Sequence, residues 1–534
     1  MAHSFISSYL ASGLKAGPFL PRGIGTPADR RARHAISAAR AMTPAVVGAV
    51  RRQNQRFAAT PERVRNLDAL ASPETTVVVT GQQAGLFLGP LFTLYKAASA
   101  VVLARTIERE TGKRCAPIFW VASEDHDFIE IAQTFVPRKD GDPVMLSITV
   151  DQARISVSER RLSSEIEGLT ETLEGLLSEQ PHAREVLALV RAHYRAGARL
   201  CDAFAGLLAA LFDPYGLLIF DPRDAEVAHA SAPVFRTAII EWARIETLLL
   251  ERDRALEKAD LIRQVTLRPG SPLVFFHPRG AAGPRFRLTA RGDQKFAVLG
   301  EGGGQSSGEN GEIEMSALDD LLEKDPSRFS SSALLRPIVQ DSLFPTVAYV
   351  GGPAEVSYFA QIAPIYSVFG LEPPLVSPRA SFRLIPRDLR RLLEKMEISP
   401  ADAACAPLDL SVKLLPPDEH APAHSWISPL ESQLDALLSR EPSLARAILR
   451  TKGSIAHAFG RLARKHQRLR AERDRISTDR ARRVANLLHP NGGPQERCFS
   501  FPWFAARAGT AALVDRVVSA CDPFDPTCKD LDLD

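Results

Sequence analysis

Residues 75–130 constrain the fold of this chain more than any other stretch. A β-branched run, TTVVVT, is followed by a glycine-rich turn, an amphipathic helix with Pro90 at its start and Gly112 at its end, and a second apolar strand at 116–123. This order predicts a right-handed βαβ unit with parallel strands. The turn at 81–89 and the sequence EDHD therefore fall at the carboxyl ends of neighbouring strands, where open α/β sheets bind ligands.

Composition limits the classes of protein to which the chain can belong. Its 534 residues suffice for two to four domains, and 45% apolar with 24% charged residues is typical of a soluble globular protein. The formal net charge of +3 argues against a general nucleic-acid-binding protein. Because the sequence shows neither a membrane-length apolar run nor a secretory signal, a cytoplasmic location is expected. The six scattered cysteines indicate reduced thiols rather than a disulfide framework or a zinc site.

Further helices and strands accompany the βαβ unit. Apolar periodicity predicts helices within 28–70, 163–212 and 225–258. Short apolar runs broken by proline and glycine predict a small β-rich insertion over 264–300, and the composition of 300–312 predicts a flexible loop. The α/β core is therefore expected to carry both helical and β-rich insertions.

Other core strands lie far from the first two in the sequence. Residues 217–220 and 345–350 are strand-like, and 375–376 offers another short strand. A Gly-Gly-Pro turn separates the second of these runs from a helix predicted over 354–369. The core is thus expected to be discontinuous, with its later strands supplied after an insertion.

From about residue 385 the chain becomes helical and densely charged. Residues 443–488 contain no proline, and large side chains recur in alternating steps of four and three, as in a heptad repeat. These positions are Ile455, Phe459, Leu462, His466, Leu469, Arg473 and Ile476. The spacing predicts an antiparallel arm packed with a shorter helix near 430–438, and a dimer contact through it. The alternative is an ordinary long helix of a bundle.

The sequence EDHD, formed by Glu124, Asp125, His126 and Asp127, is the strongest chemical signal. Mutual repulsion is expected to raise the pKa of some of the three carboxyl groups. A histidine held by a carboxylate is a suitable general base. Two other interpretations stay open at this point: a divalent-metal site, and capping of a following helix by Asp125 or Asp127.

The turn after the first strand is a second candidate. Gly81 and Gly85 would let backbone N–H groups approach an anion, while Gln82 and Gln83 suit recognition of neutral polar groups. Lys96 lies one to two turns into the helix and could reach an anion. The alternatives are that the glycines only allow close packing and that Lys96 is a surface lysine.

A third group surrounds the later Gly-Gly-Pro turn and is expected to face the same edge of the sheet. Its candidate binding residues are Asp341, Tyr349, Gly351, Gly352, Glu355 and Arg379. A structural salt bridge is the alternative role for Arg379 and for the nearby Arg336. Near the C-terminus, the segment PQER contains Gln495 and Arg497, to which physical reasoning alone assigns no role.

Taken together, these motifs resemble the cysteine ligases of bacillithiol biosynthesis, the BshC family. The segments that carry the resemblance are TGQQAGLFLGPLFTLYKA, PIFWVASEDHDFIEI, YGLLIFDP, LRPIVQDSLFPTVAYVGGPAEVSYFAQI and PQER. The resemblance implies an α/β, Rossmann-like parallel-sheet core with small insertions over 1–384. It also implies an α-helical coiled-coil arm over 385–490 that supports a homodimer, and a C-terminal segment, 491–534, that returns to the core.

The resemblance also implies an activity. The family's proposed reaction adds cysteine to glucosaminyl malate, the last step of bacillithiol biosynthesis, with ATP or another nucleotide as the expected cofactor. The small molecules are the expected partners, with neither nucleic acid nor membrane. Whether a metal takes part stays open. Carried over, the EDHD residues become catalytic, and the two glycine-rich turns, Arg379, Gln495 and Arg497 become binding residues for substrate or nucleotide.

Two other functions remain compatible with the sequence. The first is a non-catalytic nucleotide- or sugar-binding subunit whose coiled coil recruits the real enzyme, and the absence of a recognisable ATP loop is compatible with it. The second is a metal-dependent nucleotidyltransferase with its metal at EDHD. Binding without turnover would indicate the first function, and chelator-sensitive release of pyrophosphate would indicate the second.

Overall fold

A computed structural model describes residues 17–20, 25–151, 153–292, 294–299, 311–415, 426–473 and 475–533, without the side chains of 475–477. The predicted flexible loop at 300–312 lies almost entirely outside the described residues. The chain divides into two compact units. The first unit comprises Met1–Val136, Met145–Leu384 and Phe499–Asp534, and the second comprises Pro137–Val144 and Ile385–Cys498. Within the described residues, no helix is long and apolar enough to cross a membrane.

The elements are numbered in chain order. The first part of the chain contains α1 (Pro27–Ala38), α2 (Pro44–Asn54), α3 (Pro61–Ala69), β1 (Thr76–Gln82), α4 (Phe92–Thr111), β2 (Cys115–Val121), β3 (Gln133–Pro137), β4 (Pro143–Ser147), α5 (Glu165–Leu177), α6 (Ala183–His193), α7 (Leu200–Leu211), β5 (Leu218–Phe220), α8 (Ala225–Ile240) and α9 (Trp242–Lys258). The middle part contains β6 (Val274–Phe276), β7 (Phe286–Ala290), β8 (Lys295–Leu299), β9 (Glu312–Glu314), α10 (Met315–Lys324), β10 (Phe329–Ser331), α11 (Arg336–Leu343), β11 (Thr346–Gly351), α12 (Pro353–Ile362), β12 (Leu375–Pro378) and β13 (Ser381–Ile385). The last part contains α13 (Arg387–Lys395), α14 (Pro407–Lys413), α15 (Ser428–Arg440), α16 (Ala445–Arg473), α17 (Arg475–Leu488), α18 (Gln495–Cys498), α19 (Pro502–Ala508), α20 (Thr510–Ala520) and β14 (Cys528–Asp532).

The first unit is built on a five-stranded sheet in the order β12-β11-β1-β2-β5, and every neighbouring pair is parallel. This confirms the predicted Rossmann-like α/β core and its discontinuous assembly. β1 lies at the centre with β2 on one side and β11 on the other, so the order reverses between β1 and β11. Open α/β sheets bind ligands outside the carboxyl ends of their strands at such a reversal. The three predicted groups follow β1, β2 and β11.

The predicted βαβ unit forms with small shifts in its boundaries. Gly112 ends α4 with a left-handed backbone, φ 67°, as expected of a glycine at this position. The helix begins at Phe92, two residues after Pro90, because a 3₁₀ turn at Leu86–Leu88 precedes it. Helix α12 is also shorter than predicted and continues as a 3₁₀ helix over Ala363–Phe369.

The predicted β-rich insertion is a five-stranded antiparallel sheet in the order β10-β6-β7-β8-β9. Its apolar residues, including Phe276, Leu288 and Phe296, belong to the same core cluster as Val77 and Ile118 of the parallel sheet. Packing therefore fixes the insertion against the body of the first unit. This position is what allows it to contribute side chains to the site described below.

The second unit contains the predicted helical arm. Helix α15 packs against α16, with the rings of Trp426 and Phe459 6.3 Å apart and Lys452 paired to Asp435 at 2.7 Å. None of the residues of α15 is buried. The predicted packing with a shorter helix near 430–438 is confirmed. Dimer formation through the arm stays a prediction.

Candidate active site

A cleft of about 680 Å³ opens beside EDHD in the first unit. Its lining comes from the segment after β2, the segment 151–154, the β-rich insertion and the start of α11. The lining residues used below are Glu124, Asp125, His126, Asp127, Arg154, Phe275, Arg285, Ser331 and Arg336. The volume lies in the range of ordinary small-molecule sites, roughly 300–1,000 Å³.

Asp125 is the most heavily bonded carboxylate of the cleft. Its Oδ1 accepts hydrogen bonds from the backbone N–H of His126 at 2.7 Å and from Arg285 Nη2 at 2.7 Å, and its Oδ2 accepts from Gln83 Nε2 at 2.6 Å. Burial alone would raise the pKa of Asp125, but the hydrogen bonds to His126 and the charge of Arg285 lower it. Asp125 is therefore an ionised residue that holds the site together, and it is not one of the carboxyl groups whose pKa is raised.

His126 is flanked by two arginines rather than held by a carboxylate. Arg285 Nε donates to its Nδ1 at 2.8 Å, and Arg154 Nη2 lies 3.3 Å from its Nε2. The nearest approach of Asp125 Oδ1 to Nδ1 is longer, 3.6 Å. Because Nδ1 accepts a hydrogen bond, the tautomer that fits this contact has its proton on Nε2, beside Arg154.

Glu124 differs from Asp125 in its surroundings. One oxygen of its carboxylate accepts from Ser331 Oγ at 2.7 Å and from Ser331 N at 3.3 Å. Burial raises the pKa of Glu124, against the opposing effects of Ser331 and of the more distant Arg223 and Arg285. A desolvated carboxylate of raised pKa that lines an open cleft is suited to accepting a proton.

The structure around Asp127 bears on the other two interpretations of EDHD, helix capping and a divalent-metal site. The side chain of Asp127 is exposed, and its backbone N–H lies 3.4 Å from Asp125 Oδ1. No helix follows in residues 124–132, so the capping interpretation reduces to a turn held by Asp125. Within the described part of the chain, no group of three or more His, Cys, Asp or Glu side chains is arranged to hold a metal ion.

The turn after β1 is closely packed. A Cβ atom on Gly81 would lie 2.7 Å from the carbonyl oxygen of Trp120, and one on Gly85 would lie 2.8 Å from the Cα of Gly89. The Gly85 N–H already donates to the carbonyl of Gln83 at 3.0 Å. These contacts favour the packing interpretation of the two glycines over an anion cradle.

Lys96 is neither a surface residue nor free to bind an anion. It is 3% exposed and donates to the carbonyl of Gly81 at 2.7 Å and to Gln82 Oε1 at 2.9 Å, and it forms an ion pair with Glu355. An ammonium group has three N–H donors, and all three are engaged. The structure therefore places Lys96 in a buried network between the ends of β1 and β11.

Glu355 joins this network to the cleft. It accepts from the N–H of Gly352 at 2.7 Å and from the hydroxyl of Tyr349. Burial would raise the pKa of Glu355, but the adjacent Lys96 ammonium and the Tyr349 hydroxyl hold it below its ordinary value. Arg336, which lines the cleft, donates to Tyr349 at 3.1 Å.

The other predicted binding residues are separated from the cleft. Asp341 is buried and accepts from Gln340 Nε2 at 2.9 Å and from the hydroxyl of Tyr366 at 2.6 Å. Arg379 is 5% exposed; its backbone N–H donates to the carbonyl of Gly351, and its guanidinium lies over the ring of Phe92. None of these residues lines the cleft.

Gln495 and Arg497 belong to the second unit. Gln495 is buried and donates from Nε2 to the carbonyl of Leu487 at 2.8 Å. Arg497 is exposed. Neither residue lines the cleft beside EDHD. The buried hydrogen bond of Gln495 gives this side chain a structural role within the second unit.

Three residues of the cleft were missed by reasoning from the sequence. Arg154, Arg285 and Ser331 come from segments 28 to 207 residues away from their EDHD partners. Arg285 precedes β7 and Ser331 ends β10. Nothing in the local pattern of these segments marks them, because their role depends on where the insertion packs.

Comparisons with known proteins give a consistent result. Residues 3–380 match the family described as "Bacillithiol biosynthesis BshC, N-terminal Rossmann-like domain", and residues 426–532 match "Bacillithiol biosynthesis BshC, C-terminal coiled-coil domain". A protein of Koribacter versatilis is 34% identical over 88% of this chain and 86% of its own length. A protein of Salinibacter ruber is 32% identical over 91% of this chain and 89% of its own length. Both are named "Putative cysteine ligase BshC".

Proposed function

Since the chain belongs to the BshC family of bacillithiol biosynthesis, we propose that it is a ligase that joins the carboxyl group of cysteine to the amine of glucosaminyl malate in the cleft beside EDHD. The observation that carries the proposal is Glu124. It is a desolvated carboxylate with a raised pKa, held by Ser331 at an open cleft of substrate size. Formation of an amide from an amine requires such a proton acceptor.

The reaction forms one C–N bond and breaks one bond to a leaving group. The amine nitrogen attacks the activated carboxyl carbon of cysteine, the leaving group departs with its electron pair, and Glu124 accepts the amine proton. Glu124 takes this role in preference to His126 because the Nδ1 of His126 accepts from Arg285 and its Nε2 carries the proton. His126 then serves as a hydrogen-bond donor to the substrate.

Activation of the carboxyl group by ATP or another nucleotide is part of the proposal. The turn Gly81–Gly85 and Lys96 do not fit a phosphate site as they stand, because the Gly85 N–H and all three Lys96 donors have protein acceptors. We therefore assign no step to these residues. Asp125 accepts hydrogen bonds from Gln83 and Arg285, and of these two residues Arg285 lines the cleft.

The test is product formation by the purified full chain incubated with glucosaminyl malate, cysteine and ATP, with each omitted in turn and followed by mass spectrometry. Glu124→Gln keeps the shape and the acceptor for Ser331 but cannot take a proton. It is expected to lower kcat by about 10²- to 10⁴-fold. Glu167→Gln, an exposed change on α5, is the matched control and should leave kcat unchanged. A folded Glu124→Gln variant with full activity would contradict the assignment.

A further inference from the structure

Three arginines line the cleft, and they differ in how their charge is balanced. Arg285 is 5% exposed in its side chain and forms an ion pair with Asp125 at 2.7 Å. Arg336 donates to Gln340 Oε1 and to two tyrosine hydroxyls, so its donors are largely engaged. Among the described residues, no carboxylate forms an ion pair with Arg154. Arg154 therefore has fewer ion-pair and hydrogen-bond partners among the described residues than the other two arginines.

The hydrogen-bond donors of Arg154 have few acceptors. Its Nη2 lies 3.3 Å from Nε2 of His126, and its Nε is buried without a hydrogen-bond partner in the described structure. Since Arg285 donates to the other nitrogen of the His126 ring, Nε2 carries a proton. Two donors thus lie side by side at the cleft wall. A ligand oxygen that bears negative charge is the group that both donors would bind.

The walls around this corner restrict what can bind there. Arg285 covers one face of Phe275, with its guanidinium carbon 4.3 Å from the ring centre, and Arg154 lies 5.9 Å from the ring centre of Phe286. Arg285 is thus in close cation–π contact with its ring, while Arg154 lies near the outer distance for such a contact. Planar guanidinium groups favour carboxylates, which they can bind through two parallel hydrogen bonds.

We propose that Arg154, together with the Nε2–H of His126, binds a carboxylate of the malyl group of glucosaminyl malate and so selects the malylated sugar over free glucosamine. This inference rests on the proposed function for the identity of the substrate. The carboxylate of cysteine is the competing ligand. It is the reacting group, however, and loses its negative charge on activation, whereas the malyl carboxylates stay ionised throughout. Arg154 is thus a specificity-determining residue, and Glu124 lies on the same cleft to receive the amine proton.

The inference is tested with Arg154→Met in the full chain, which keeps the length of the side chain and removes its charge. The KM for glucosaminyl malate is expected to rise by on the order of 10- to 100-fold, as for loss of a charged hydrogen bond. The KM for cysteine should stay within about twofold, since the proposal assigns cysteine no contact with this arginine. Arg154→Lys should give an intermediate rise, because lysine keeps the charge without the two parallel donors. Arg184→Met, an exposed change on α6, is the control.

A second measurement separates this inference from the proposed function. Calorimetric titration of the full chain with glucosaminyl malate, and in parallel with the methyl glycoside of glucosamine, needs neither cysteine nor nucleotide. Tighter binding of the malylated sugar that is lost in Arg154→Met supports the subsite, even if no product forms. Product formation with an unchanged KM in Arg154→Met would overturn the subsite and leave the ligase intact. A rise confined to the KM for cysteine would also overturn it.

Discussion

At the scale of single residues, neighbouring groups give the two adjacent acids of the cleft different properties. Asp125 accepts from Gln83, His126 and Arg285 and is stabilised as an anion. Glu124 receives hydrogen bonds from one serine and is desolvated, so its pKa is raised. Two adjacent carboxyl groups therefore have different roles: Asp125 is structural, and Glu124 is suited to accepting a proton.

This difference predicts the pH dependence of the reaction. A raised pKa means that Glu124 is protonated, and unable to accept a proton, at pH values where an ordinary glutamate is ionised. The acidic limb of kcat/KM should therefore have its midpoint above 4.5, the ordinary value, with activity lost as the pH falls through it. A pH–rate profile of the wild-type chain measures this. A limb at or below 4.5 would show that another group is the proton acceptor.

Lys96 gives a second prediction at this scale. Lys96→Met leaves the buried Glu355 carboxylate without its partner, and breaking a buried pair in this way costs about 3–5 kcal/mol. The midpoint of denaturant unfolding should fall accordingly. Lys113→Met, which removes a solvent-exposed pair with Glu74, should leave the unfolding midpoint nearly unchanged because water screens that pair. Unchanged stability in Lys96→Met, with weakened ligand binding, would restore the predicted role as an anion ligand.

The sequence identified EDHD as the candidate site but not the separate roles of Glu124, Asp125 and His126. EDHD stands out because acids and a histidine follow an apolar strand directly. The hydrogen bond to Nδ1 of His126 comes from Arg285 and those to the Glu124 carboxylate come from Ser331, which are 159 and 207 residues away. Contacts over such distances depend on tertiary packing, which no local pattern records.

At the scale of elements, the turn after β1 is the part of the site under the tightest steric constraint. Phe87 and Leu88 have positive φ values of 49° and 72°, which non-glycine residues seldom adopt. Tyr194 holds them in place, since its hydroxyl accepts from Leu88 N at 3.1 Å and donates to the carbonyl of Gly85 at 2.9 Å. The turn therefore owes its shape to contacts from α6 and its neighbours rather than to its own sequence.

A substitution in this turn tests its packing. Gly85→Ala places a Cβ atom 2.8 Å from the Cα of Gly89. Because that Cα belongs to the backbone and cannot easily move, the change should destabilise the protein by about 1–3 kcal/mol. Gly168→Ala, in helix α5 with nothing within 4 Å of the added atom, should be neutral or stabilising by up to about 1 kcal/mol. Thermal unfolding of both variants gives the comparison. Equal melting temperatures would show that the turn can relax.

The turn after β1 also shows which element boundaries could be predicted from the sequence and which could not. The βαβ unit, its parallel strands and the end of α4 at Gly112 follow from periodicity and glycine placement alone. The start of α4 does not, because the strained 3₁₀ turn that delays it is stabilised by Tyr194, about a hundred residues further along the chain. Local propensity cannot anticipate a conformation that distant residues impose.

At the scale of the whole molecule, the segment after β4 and the β-rich insertion add residues to the site that follows the parallel sheet. The parallel sheet supplies EDHD, the segment after β4 supplies Arg154, and the antiparallel sheet supplies Arg285 and Ser331. Discontinuous assembly was predictable from the order of strand-like runs. The joint contribution of the insertions to one cleft was not, since it depends on how the two sheets pack.

The dimer is a prediction at the same scale. Leu462 and Leu469 lie seven residues apart on α16 and are 53% and 45% exposed, so they form part of an uncovered apolar seam. The full chain is expected to show the mass of a dimer in light scattering at micromolar concentration. The double change Leu462→Lys with Leu469→Lys should give the monomer, while Gln467→Lys, which adds charge off the seam, should not. A monomeric wild-type chain at every concentration would refute the coiled-coil dimer.

We propose that Glu124 accepts a proton in a reaction that joins cysteine to glucosaminyl malate. The most direct measurement is mass spectrometry of the products of wild type and Glu124→Gln, each given glucosaminyl malate, cysteine and ATP. The prediction is a condensation product that requires all three compounds with wild type and falls by about 10²- to 10⁴-fold in the variant. Equal product from the two proteins would contradict the assignment of Glu124. No product from folded wild type under these conditions would contradict the proposal that this chain alone catalyses the ligation.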